Sequence, residues 1–205
     1  MKLYHLSSGP LKVNTYFLVN ETTAQAAVID CGENYNLIKK TEEKYGFTVK
    51  ALLLTHAHFD HCGNAEKLRK DGAVVYISEK DGEKLAAGET LGDRFGRTVE
   101  PVTEYTAIRD GETLDLFGIK IKVIATPGHT DGSVTFAVDN MLFTGDTLFN
   151  ESVGRTDFPT GSREELVASV KKLFALDGDY DVFPGHQEFT TLSHEREYND
   201  FNDYD

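Results

Sequence analysis

The apolar positions of this chain gather into short runs separated by polar and glycine-rich stretches. Residues 13–19, 26–29, 51–54, 73–77, 119–125, 133–138, 141–143 and 180–183 form such runs. They are rich in Val and Ile and too short for buried helices, so they predict strands. Helical spacing appears between them at 35–45, 65–70 and 164–173. In the last of these, Leu166, Val170, Leu173 and Phe174 recur on one face behind Ser162, a residue suited to cap a helix. Hairpin-like neighbours alternate with strand–helix–strand units. This order predicts a mixed α/β (α+β) chain whose helices cover sheet faces. Residues 79–112 are dominated by Gly, Glu, Asp and Arg and predict a helix followed by an irregular excursion.

Composition narrows the class. The 205 residues suit one domain spanning 1–205, large enough to bury a core. Forty per cent apolar and 27% charged residues are ordinary for a soluble globular protein. No apolar run approaches the ~20 residues of a membrane span. The opening Met1-Lys2-Leu3-Tyr4-His5 soon meets Ser7, Ser8 and Gly9 rather than a secretory apolar stretch, so the expected location is the cytoplasm. A net charge of -13 repels phosphate backbones, and no Lys/Arg cluster offsets it, so neither a nucleic-acid nor a membrane partner is expected. Cys31 and Cys62 read as free thiols, since a disulfide-stapled scaffold uses more cysteines. Cys62 follows His61 directly, which puts it either near the chemistry or simply in the core as a small hydrophobe.

The densest chemistry is Thr55-His56-Ala57-His58-Phe59-Asp60-His61, directly after the apolar run 51–54. Three imidazoles and a carboxylate supply the neutral nitrogen and hard oxygen that zinc or iron takes. In an extended segment His56 and His58 point to one side, while Asp60 and His61 turn away with the next element. The spacing therefore suits two adjacent metals. A lone His is usually structural, but this cluster at a strand's end reverses the odds, because buried unpaired polar groups are costly. Three further candidates also stand just beyond strands, where α/β sheets place their sites: His129 in Thr126-Pro127-Gly128-His129-Thr130, Asp146 in Gly145-Asp146, and His186 in Pro184-Gly185-His186. His5 and His194 have no such setting and read as surface residues. Asp30, after the run 26–29, is a candidate to orient a metal-bound imidazole, or else a turn residue. The 79–112 excursion is expected near the site, with Arg97 and Tyr105 as pocket-lining candidates.

Taken together, Thr55–His61, Gly128-His129-Thr130, Gly145-Asp146 and Gly185-His186 resemble the signature of the metallo-β-lactamase superfamily, in order and spacing from the first strands to about residue 189. The resemblance implies a four-layer αββα sandwich with the site at one sheet edge. It also implies His56, His58 and His129 on a first metal, Asp60, His61 and His186 on a second, and Asp146 between them. Within the superfamily the chain is similar to the glyoxalase II-like (hydroxyacylglutathione hydrolase-like) enzymes, through residues 145–149 and 153–159. The stretch 191–199 resembles short bacterial members. Asp146 favours thioester hydrolases over β-lactamases, several of which carry another residue there. The implied activity is hydrolysis of a small thioester or ester, such as a hydroxyacyl-glutathione, by a water that two divalent cations make nucleophilic. Zinc leads the candidates, with iron or manganese as alternatives. Asp60 would also orient that water. Arg155 is the candidate contact for an anionic substrate group, or else the partner of Asp157. Full-length glyoxalase II holds glutathione partly with a helical C-terminal domain, and only residues 187–205 follow His186 here.

Three other readings differ in kind. Persulfide dioxygenases of the same superfamily resemble the chain through residues 154–158 and hold one iron with two His and one Asp, here His56, His129 and Asp146. Nucleases of the superfamily usually carry an added clamping domain, for which this chain is short and acidic. A non-catalytic metal module predicts a coordinatively closed site, whereas seven ligands shared by two metals leave positions open.

Overall fold

The computed structural model describes residues 1–32 and 35–201. Six strands form the first sheet in chain order: β1 (Lys2–Ser8), β2 (Val13–Asn20), β3 (Gln25–Ile29), β4 (Thr48–Leu53), β5 (Val74–Ser78) and β6 (Thr106–Ile108). The β1–β2–β3 meander is antiparallel, and β3 through β6 run parallel. The second sheet is built from β7 (Thr113–Leu116), β8 (Ile119–Ala125), β9 (Val134–Val138) and β10 (Met141–Gly145). After the small hairpin of β11 (Leu148–Phe149) and β12 (Ser152–Val153), it is completed by β13 (Asp181–Pro184) and β14 (Thr190–Thr191). Its spatial order is β14-β13-β10-β9-β8-β7, and only the β10–β13 pair is parallel.

Strand alternation divides the apolar residues into three cores. Tyr16, Leu18, Ala27, Ile29 and Leu53 face inward and meet Ile121, Val123, Phe136 and Phe143 of the second sheet. Phe17, Val28 and Leu52 face outward, under α1 (Tyr35–Tyr45), α3 (Ala65–Lys70) and α4 (Glu79–Ala87), which contribute Ile38, Leu68 and Leu85. On the far side, Ile124, Leu142 and Val182 pack beneath Leu166, Val170 and Leu173 of α5 (Arg163–Phe174) and Leu192 of α6 (Leu192–Tyr198). The result is the expected four layers, helix–sheet–sheet–helix. Strands β2 and β3 are buried on both faces, which is why apolar residues dominate both, with Asn14 and Thr15 as buried polar residues in β2.

Two register slips matter to the site. Lys50 is an extra residue against β3, so Val49 and Leu52 share the outer face despite their spacing. Thr144 is skipped where β10 pairs with β13, two residues before Asp146. The excursion at 79–112 opens with α4, as expected. It continues through a short turn of tight helix at Gly92–Phe95, and it also contains the edge strand β6, which its polar sequence concealed. Among the described residues no helix is long and apolar enough to cross a membrane.

Candidate metal centre

All seven expected ligands converge. The extended His58 ends the β4 loop, and α2 (Phe59–Cys62) begins at once, so His56 and His58 project from the loop while Asp60 and His61 project from a single helical turn. His129 follows β8, Asp146 follows β10 and His186 follows β13. The donor atoms of His56, His58 and His129 lie within 4.8 Å of one another, as do those of Asp60, His61 and His186. A third such group, His56, His61 and Asp146, joins the two. The Asp146 carboxylate lies 3.3 Å from His61 Nε2 through Oδ1, and 3.5 Å from both His129 Nε2 and His186 Nε2 through Oδ2.

The outer ring nitrogens explain why the inner ones suit a cation. His129 Nδ1 donates to the Arg155 carbonyl at 2.8 Å, and His186 Nδ1 to the Leu11 carbonyl at 2.9 Å. His61 Nδ1 donates to Asp30 Oδ2 at 2.8 Å. The Thr55 hydroxyl gives its proton to Asp30 Oδ2, so it accepts from His56 Nδ1 at 3.0 Å. Each of these four rings therefore turns Nε2 toward the centre, the atom that binds a cation once its proton is lost. His61 Nε2 and His186 Nε2 face each other at 3.3 Å, where one proton at most can lie between them. The buried His56 Nε2 and Asp146 Oδ1 have no hydrogen-bond partner. Orphaned acceptors of this kind, converging in a buried place, fit a metal site and are otherwise costly.

Electrostatics agree. Burial, with the neighbouring imidazoles, pushes His56 well below its ordinary value; burial and His129 bring His58 to about 3. Both are thus neutral ligands at physiological pH. Burial also opposes charge on His61 and Asp146, but the pair overcome it together. Asp146, Asp60 and Asp30 raise His61 well above its usual value, while His61, His129 and His186 hold Asp146 well below the carboxylate range. A cation arriving here displaces protons from imidazoles rather than from carboxylates.

Asp30 occupies the orienting place expected of it, and its φ of 52° is one that Asp tolerates. Its two oxygens take three protons, from the Thr55 amide, the Thr55 hydroxyl and His61. Asp30→Asn puts an amide NH₂ against these donors, and a roughly 10–100-fold loss of metal affinity is expected. Competition with a chromophoric chelator measures it; unchanged affinity would show that Asp30 does not orient the ligand.

Several supports carry little or no sequence signal. The loop bearing His186 is held by Asn14, whose amide group donates to the carbonyls of Pro184 and Gln187, and by the Tyr16 hydroxyl on Pro184. Buried Asp81 accepts from the Ala57 amide, between His56 and His58, and from the Thr130 hydroxyl beside His129; Lys84 neutralises it. Arg155 lines the site cavity, but in this structure its guanidinium makes two 2.6 Å bonds to Asp157 and lies 3.9 Å over the Phe158 ring. That pair lowers Asp157 to about 2. Arg97 and Tyr105 do not line the cavity; Tyr105 lies against α4 at Gly82, and Leu91 and Phe95 take the lining role from the same excursion. Cys31 and Cys62 are free, buried, and part of the core under the helices. His5 is exposed, and His194 pairs with Glu151 at the surface.

Comparison with known proteins agrees with this geometry. The family model described as the metallo-beta-lactamase superfamily matches residues 8–186. A protein of Streptococcus pyogenes named a probable metallo-hydrolase is 35% identical over 98% of this chain and 90% of its own length. The hydroxyacylglutathione hydrolase GloC of Haemophilus influenzae is 36% identical over 90% of each. Among solved structures, the BLEG-1 B3 metallo-beta-lactamase superposes with a TM-score of 0.89 at 31% identity, covering 98% of this chain and 99% of the other. TTHA1623, solved in a di-iron-bound form, gives 0.86 at 32% identity, with 97% and 99% covered. ETHE1 from Myxococcus xanthus gives 0.83 at 26%, with 98% and 84% covered. The chain is a member of the metallo-β-lactamase superfamily, with a His/Asp cluster able to hold metal ions.

Proposed function

We propose that this protein hydrolyses thioesters, in the manner of glyoxalase II-like enzymes, with two divalent cations, zinc foremost, held by its all-histidine triad and its histidine–aspartate triad. The observation that carries this reading is the second triad. Asp60, His61 and His186 are assembled as closely as His56, His58 and His129, and Asp146 lies against both sets. The 36% identity to a hydroxyacylglutathione hydrolase supports the choice of thioester. When bound, such cations lower the pKa of water to about 7 and polarise a carbonyl oxygen.

The chain's own groups set the geometry. Asp60 Oδ2, 3.3 Å from His186 Nε2, is placed to accept a hydrogen bond from the attacking water and fix its approach. The water oxygen bonds to the thioester carbon, the C–S bond breaks, and the water's proton ends on the departing sulfur. Apolar side chains around the cavity limit competing solvent. Elemental analysis of the purified protein beside thiol release from S-lactoylglutathione tests the scheme. Two divalent metals per chain, and thiol release abolished by a chelator, are expected.

The similarity to ETHE1 supports a second reading, a mononuclear iron persulfide dioxygenase using His56, His129 and Asp146. One iron per chain with oxygen uptake on a persulfide would establish that reading in place of the first.

A further inference from the structure

The cavity over the metal centre holds about 410 Å³, within the range of small-molecule sites. Its floor is the candidate ligands, and its walls are mostly apolar, with Ser152, Arg155 and Gln187 as the polar members. On the His58 side stand three rings: Phe59 stacks on Phe95 at 5.0 Å between centroids, Phe95 meets Phe158 edge-on at 6.2 Å, and Phe158 meets His58 edge-on at 5.8 Å. Leu91 completes that wall, and Leu11 and Phe149 stand in the same lining. Phe95 is 49% exposed and Leu11 46%, so the mouth presents apolar surface to water on a chain whose net charge is -13. Among the described residues lining this cavity, Arg155 is the one Lys or Arg, and Asp157 holds the edge of its guanidinium formed by Nε and one terminal nitrogen.

The segment that delivers Phe95 is fixed rather than slack. The Phe59 amide donates to the Thr90 carbonyl at 2.8 Å, and the Arg97 amide to Gly92 at 2.9 Å. Leu91, a branched residue, adopts φ 63°. Strained backbone persists where its surroundings over-determine it, typically at ligand clamps.

We infer that the preferred substrate of this site is a thioester carrying an aromatic or branched apolar group within a few atoms of its carbonyl, on the acyl or the thiol side, with Phe95 as a specificity-determining residue. This rests on the thioester-hydrolase reading. A glutathione arm brings two carboxylates and an ammonium, and these walls offer such groups a single cation, one edge of which Asp157 already holds, beside the two polar side chains of Ser152 and Gln187. An aromatic arm instead covers the exposed faces of Phe95 and Leu11. The bond chemistry is unchanged: water adds its oxygen to the carbonyl carbon, C–S breaks, and carboxylic acid and thiol leave.

Three thioesters differing by one arm test the inference: S-acetylglutathione, S-phenylacetylglutathione and S-benzyl thioacetate, with the metal-loaded protein. At least one apolar member is expected to exceed S-acetylglutathione about tenfold in kcat/KM, chiefly through KM. Phe95→Ala, at an exposed position, is expected to erase that gain, lowering kcat/KM on the apolar thioesters about tenfold more than on S-acetylglutathione, with metal content unchanged. Equal or better use of S-acetylglutathione, or a preference that survives Phe95→Ala, overturns the inference and leaves thioester hydrolysis standing. If none of the three is cleaved, the hydrolase reading fails instead, and calorimetry judges the wall alone. Phenylacetate is expected to bind about tenfold more tightly than acetate with a negative heat-capacity change that Phe95→Ala removes; equal binding overturns the inference.

Discussion

Asp146→Ala is expected to lower kcat/KM on a thioester by at least about a thousandfold and to leave fewer than two metals bound per chain. Asp146 is the group that lies against both triads, with one oxygen toward His61 and the other toward His129 and His186. Its removal would take a candidate ligand from each side and leave His61, His129 and His186 without the carboxylate that faces them. Metal content by elemental analysis, read beside steady-state rates, checks both halves of the expectation. Turnover retained after full metal loss would refute the scheme. His186→Ala separates the two functional readings, because His186 is a ligand in the dinuclear centre and outside the single-iron set. Loss of one metal and most activity is expected; an intact one-iron enzyme would decide for the dioxygenase.

Gly154→Ala is expected to destabilise the fold by about 2–3 kcal/mol, a drop in Tm of roughly 4–12 °C, and to impair metal binding with it. A methyl group at Gly154 would sit 1.8 Å from the Asp146 carbonyl oxygen and 3.4 Å from His129 Nδ1. The first contact is with backbone, which cannot rotate aside as a flexible side chain would. Relief requires shifting either the β12 exit or the Asp146 peptide, and the second carries a ligand with it. Thermal denaturation with and without metal measures this. A variant with unchanged Tm and metal content would show that the close approach relaxes elsewhere.

The candidate ligands were legible because each group of them follows a strand whose apolar run announces itself. Runs at 119–125 and 180–183 place His129 and His186, and the runs correspond to β8 and β13. The doubly buried β2 and β3 were visible for the same reason. Strand β1 was not, since it is a half-exposed edge with a polar tail, and β6 and β14 are too short for a periodic signal. Asp30 and Thr55 lay next to recognised motifs and could be read from them. Asp81 could not: it looks like any acid in the first turn of a surface helix, and only the fold brings its carboxylate under Ala57 and Thr130. The carbonyls of Leu11 and Arg155 that set two imidazole tautomers are beyond any side-chain pattern, because every residue has one. The aromatic wall failed for a related reason. Phe59, Phe95 and Phe158 are far apart in sequence, and a lone Phe reads as core.

Neither sheet owns the metal centre. Strands β1 to β6 and the helices threaded among them supply His56, His58, Asp60 and His61, and the later sheet supplies His129, Asp146 and His186. Each triad thus borrows one residue from the other half of the chain. A cation seated there would act as a rivet across the seam between two leaves, so an agent that strips it would withdraw a brace as well as a reagent.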